Sequence, residues 1–144
     1  MKWLSSFLVF WTVTAWSDSV SYEQPLYVAD ITLQNEQEFV QLLERAEQLI
    51  LAGSPVEAGQ PRVTFVLHGP VLRSLLRDDY LENKRLVDLA ASLSALEVID
   101  VKACNTWMGL HGLEAGDLQP FVDVVVYGPG EVERLAKTQN YVDF

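Results

Sequence analysis

Val63-Thr64-Phe65-Val66-Leu67-His68-Gly69-Pro70 is the stretch that decides the fold. Five apolar or β-branched residues in succession leave no polar face, which is the composition of a strand buried on both sides of a parallel sheet. The run ends in Gly69-Pro70, and proline at a first helical position suits a strand that turns directly into a helix, here over Val71 to Leu76. One strand-to-helix unit is therefore written in the middle of the chain.

The pattern repeats outward from it. Downstream, Asp78 to Lys84 is a polar break, and Leu86, Leu89, Ala90, Leu93 and Leu96 then share one face of a helix. Val98 to Ala103 follows as a half-buried strand, with Ile99, Val101 and Ala103 on one face and Asp100, Lys102 and Cys104 on the other. Gly112 to Pro120 is rich in turn formers, and Val122 to Tyr127 is the next strand, closed by a Gly128-Pro129-Gly130 turn. Glu131 to Gln139 reads as a short helix, acidic at its start and with Lys137 near its end, as the helix dipole favours. Tyr141 to Phe144 adds a short last strand. Upstream, Pro25 to Ile31 is a first strand, and Asn35 caps a helix with Glu38 three residues on. Phe39, Leu42, Leu43, Ala46, Leu49 and Ile50 form the apolar face of that helix. Gly53-Ser54-Pro55 ends it, and a surface loop runs to Pro61. Strands alternating with helices at these spacings predict a three-layer α/β/α fold with a mainly parallel sheet of about five strands.

At the start of the chain, Met1-Lys2 precedes an apolar run from Trp3 to Trp16, too short to span a bilayer comfortably, with a small-residue cleavage site at Val13-Thr14-Ala15 or Ala15-Trp16-Ser17. Residues 1–17 read as a secretory signal peptide and residues 18–24 as a flexible leader, leaving 25–144 as a single domain. On that reading the mature protein is periplasmic or secreted and carries no membrane anchor after cleavage. The formal charge of -10 works against a sequence-independent grip on nucleic acid or anionic lipid, since both require clustered lysine and arginine.

The chemistry gathers where strands run out. In open α/β sheets ligands meet the protein beyond the carboxyl ends of the strands, and three such ends carry His68-Gly69-Pro70, Cys104-Asn105-Thr106 and Tyr127-Gly128-Pro129-Gly130. Cys104 is the one cysteine of the chain. Asn105 and Thr106 mark a helix or turn start whose free amides would favour a thiolate, and His68 on a neighbouring strand end is a better proton partner than His111. A cysteine is equally at home as a small buried hydrophobe. Gly128 and Gly130 form a candidate backbone cradle for a small anion. No dinucleotide or phosphate-loop fingerprint is present, so no cofactor is expected. No metal is expected either, because Cys104, His68 and His111 lack ligand spacing. Trp107 and Met108 read as core or oligomer contacts, with an exposed look that favours the second.

From Pro61 to Tyr141 the residues resemble the DsrE/DsrF-like family of sulfur-relay proteins. The likeness rests on the order of His68-Gly69-Pro70-Val71, the Asn83 to Leu96 helix, Ala103-Cys104-Asn105-Thr106-Trp107-Met108, Asp117-Leu118-Gln119-Pro120, Gly130-Glu131-Val132-Glu133-Arg134-Leu135 and Gln139-Asn140-Tyr141. It implies a flavodoxin-like domain that assembles into homo-oligomers, often trimers or hexamers. It also implies a persulfide carried on Cys104 and exchanged between a sulfur donor and acceptor thiols. Asn140 stands where the family more usually has glycine, and a secretory signal is unlike the cytosolic relay proteins. Two functions are therefore expected in competition: a persulfide-carrying sulfur handler, or a non-catalytic binding or assembly module in which Cys104 is packing.

Overall fold

The computed structural model describes residues 25–52 and 61–142. The signal-peptide and leader readings of residues 1–24, and the loop reading of residues 53–60, lie outside the described residues.

Five strands form one all-parallel sheet: β1 (Tyr27–Thr32), β2 (Val63–His68), β3 (Ile99–Cys104), β4 (Val122–Val125) and β5 (Asn140–Tyr141). Their order is β4-β3-β2-β1-β5. The helices are α1 (Glu36–Leu51), α2 (Lys84–Ala95), α3 (Asn105–Leu110) and α4 (Gly128–Leu135), with a 3-10 helix over Pro70–Leu75 and a 3-10 turn over Ala115–Asp117. This is an α/β domain of flavodoxin-like layering.

The chain steps outward from β1 to β4 with every connection on one face of the sheet. There α1, α2 and the 3-10 helix enclose the main core, in which Phe39, Phe65, Leu72, Leu93, Ile99, Met108 and Leu118 are buried. It then returns across the other face, where α4 packs on β1, β2 and β3 over a small cluster of Val28, Val66, Val132 and Leu135. β2, sandwiched between the two, is buried along Val63 to Leu67, as its lack of a polar face requires.

Local chemistry accounts for the element ends. The Asn35 Oδ1 accepts from the Glu38 amide at 3.1 Å, while Glu38 reaches back to the Gln34 amide, so α1 begins as expected. The helix expected after β2 is present, as a 3-10 helix over Pro70–Leu75 held by bonds such as Leu72 N–H to Gly69 O. Three expectations are corrected. Leu96 is not on the apolar face of α2: the helix ends at Ala95, and Leu96, its C-cap, is exposed. Gly128-Pro129-Gly130 is not a turn before a helix but the first turn of α4, because proline there forfeits only an amide that a helix start leaves unpaired anyway. Met108 is fully buried in the main core and cannot serve as an oligomer contact, whereas Trp107 is half-buried against that core.

Candidate functional site

The direction of the connections creates one discontinuity in the sheet. After β3 the chain turns to the main-core face, where Met108 of α3 and then Leu118 are buried; after β4 it turns to the opposite face through α4. Adjacent strands whose connections leave to opposite faces open a crevice at their carboxyl ends. The last residue of β3 is Cys104, and beyond β4 stand Val126, Tyr127 and Gly128.

Cys104 is also the N-cap of α3, so its backbone is extended while the next residue is already helical. Its side chain lies on the α4 side of the sheet, as the alternation of β3 dictates. The thiol accepts a hydrogen bond from the Gly128 amide, N to Sγ 3.2 Å. That amide belongs to the first turn of α4, whose N–H groups have no intrahelical acceptor. Gly128 can come so close only because it lacks a side chain: a Cβ there would lie 3.2 Å from Cys104 Cβ, 3.4 Å from Sγ and 3.4 Å from Val66 Cγ1. The result is a thiol roofed by a helix start and only 4% exposed.

The amides of Asn105 and Thr106 were the donors expected for this sulfur. Among the described residues the donor is Gly128 instead. Asn105 is exposed, and the Thr106 hydroxyl donates to Val126 O at 2.9 Å, which ties α3 to the chain leaving β4. Gly130 packs beneath the Tyr127 ring, where a Cβ would lie 3.2 Å from Cδ1, and the Gly128 amide of the expected anion cradle is taken up by the sulfur.

His68 is the last residue of β2, as Cys104 is of β3. One step beyond the pair Leu67↔Ala103 the register sets the two side by side, both side chains on the α4 face. The imidazole is held from the β1 side: Nε2–H donates to Asp30 Oδ1, and Thr32 Oγ1 lies 3.0 Å from Nε2 and 3.3 Å from Nδ1. Asp30 and Thr32 were missed from the sequence. The signal available was their alternation against Ala29 and Ile31 in β1, but only the strand order brings them beside His68. His111 does not join the site: its Nδ1 lies 2.7 Å from Trp107 O, and its ring stacks on the Trp107 indole at 3.8 Å. Cys104, His68 and His111 therefore do not converge as ligands.

Further down the same face Lys102 Nζ sits 3.0 Å from Asp100 and 3.9 Å from Asp123. On α4, Arg134 grips Glu131 with two hydrogen bonds, at 2.7 and 2.8 Å. Those bonds, reinforced by the charges of Arg134 and Lys102, hold the Glu131 carboxyl below its ordinary range. Two clefts elsewhere, one of about 470 Å³ between α1 and α2 and an apolar one of about 300 Å³ beneath α1, include neither Cys104 nor His68.

The layering has a counterpart among solved structures. The chain is similar to a protein of unknown function, MTH1491 from Methanobacterium thermoautotrophicum, at 20% identity and a TM-score of 0.65, over 83% of this chain and 99% of that one. That likeness shows the fold. No family model and no curated protein matches the chain.

Proposed function

We propose that the protein is a sulfur carrier in which Cys104 accepts a sulfane sulfur, holds it as a persulfide and passes it to another thiol. The observation that carries this reading is the Gly128 amide donating to Sγ at the carboxyl end of β3. A preorganised N–H donor at a helix start is the partner that a sulfur anion needs, and the anion is the nucleophile. The step balances without an outside oxidant. The Cys104 sulfur bonds the terminal sulfur of a low-molecular-weight persulfide, the donor's S–S bond breaks, and its thiolate leaves with the electron pair and takes up the proton that Cys104 gave up. The donor and acceptor thiols are the partners this chemistry requires, and export to the periplasm would place the carrier outside the cytosol.

A second reading is favoured by one observation. At 4% exposure Cys104 can be the packing residue of a binding or assembly module. Treatment of the full chain with polysulfide, followed by intact mass, separates the two. Sulfur carriage predicts the gain of one sulfur atom, its loss to a reductant, and no gain in Cys104→Ser. A native protein that resists both polysulfide and maleimide until denatured belongs to the second class.

A further inference from the structure

The apolar cleft beneath α1 lies far from Cys104, on the other face of the sheet and at the other ends of the strands. Tyr27 and Val63 in its lining are the first residues of β1 and β2, whereas Cys104 and His68 are the last residues of theirs. Leu42 and Ala46 of α1 wall the cleft on one side and Val63 and Phe65 of β2 on the other, and Val142 stands where the two-residue β5 ends the sheet. We propose that this cleft binds a small monocarboxylate with an apolar tail, the tail laid over Phe65 and the carboxylate held by the Arg45 guanidinium.

The lining has the composition of a small-molecule pocket, in which apolar walls give affinity and a few polar groups fix orientation. Its polar groups are the Arg45 guanidinium and the Tyr27 hydroxyl, and no carboxylate stands among them. Among the described residues neither has an ion pair or a side-chain hydrogen bond, because Glu44, next to Arg45 in sequence, is committed to Arg85. In a chain with 20 acidic and 10 basic residues an unmatched arginine stands out: Lys84, Arg85, Lys102 and Arg134 all have carboxylate partners. A guanidinium keeps its charge and presents paired N–H donors that match the two oxygens of a carboxylate, and a phenol can add a further donor. The cleft thus offers one cation with no competing acid beside an apolar slot. Size sets the tail. At about 300 Å³ the cleft is small for a ligand pocket, the usual range being about 300–1,000 Å³, so a single aliphatic chain or ring fits and the two chains of a membrane lipid do not.

Calorimetric titration of the full chain with octanoate tests this. Saturable one-to-one binding is expected, with a Kd of about 1 mM or below, and hexanoate should bind more weakly by about fourfold for each methylene removed. Octan-1-ol has the same tail without the charge and should bind at least about tenfold more weakly than octanoate. Arg45→Gln, a change at an exposed position of α1, should erase that preference. Ala46→Leu fills the cleft and should abolish octanoate binding; if that variant does not fold, Arg45→Gln and the chain-length comparison decide. No saturable binding of octanoate up to about 5 mM overturns the proposal. So does equal affinity of the wild type for octanoate and octan-1-ol, or an Arg45→Gln variant that keeps the full preference. Displacement of octanoate by phosphatidylglycerol vesicles would give the cleft to a membrane lipid, and a dimer that octanoate dissociates in light scattering would give it to a second copy; either result overturns the proposal. Cys104→Ser should bind octanoate as the wild type does, so this site and sulfur carriage stand or fall separately.

Discussion

Phe65 and Val66 are successive residues of β2, both buried, and they belong to different cores. Phe65 enters the main core, where its ring meets Phe39 edge-on at 6.5 Å among leucines from α1, α2 and the 3-10 helix. Val66 faces a small cluster of Val28 from β1 and Val132 and Leu135 from α4, and its neighbours in the adjoining rows are Asp30, His68, Lys102 and Cys104. One face of the sheet holds the fold together. The other is only partly apolar, and Cys104 and His68 are on it. A charged side chain costs several kcal/mol in a dry core unless paired, so Asp30, Asp100 and Lys102 lie on the thinly covered face.

The sharpest way to break this contrast is to empty each core in turn. Phe65→Ala should cost about 3–5 kcal/mol, read as a lower midpoint in urea unfolding. Val66→Ala removes less buried carbon beneath a shorter helix and should cost about 2 kcal/mol; an equal or larger loss would mean that α4 matters as much to the fold as α1 and α2. Cys104→Ser is the third step. It exchanges a small buried sulfur for a hydroxyl that can still take the Gly128 amide, so a loss of about 1 kcal/mol is expected together with complete loss of sulfur loading. The smallest effect is the Glu131–Arg134 pair. Because the Glu131 carboxyl is held below its ordinary value near 4.5, its contribution is present above that pH and is lost as the pH falls through the depressed folded value. Glu131→Gln should change stability at neutral pH by less than about 1 kcal/mol and should flatten the acid side of the stability profile.

Much of this arrangement could be read from residue order. The all-apolar β2, the alternation of β3 and the Asn35 cap announce themselves locally, because each depends on residues within a few positions of one another. The start of α4 was less legible, since Gly-Pro-Gly satisfies a turn and a helix start equally well and only packing over Val66 chooses between them. The site was half legible. Cys104 and His68 could be marked as strand-end residues, but the Gly128 donor at the start of α4 and the Asp30 and Thr32 partners in β1 come from elements whose adjacency is a property of sheet order. No short-range pattern encodes that order.

The two pairings of β1 also differ in how they must be assembled. β1 pairs with β2 across a single helix, yet it pairs with β5 across nearly the whole described chain: Asn140 N–H donates to Leu26 O, 114 positions away, and Val142 N–H to Val28 O. Closing so long a loop costs entropy before the two-residue β5 returns any of it. In kinetic terms β5 is the last strand to dock and the first to fray. The amides of Asn140 and Val142 should therefore exchange with solvent deuterium well before those of β2, which lies two strands inward and is sealed on both faces.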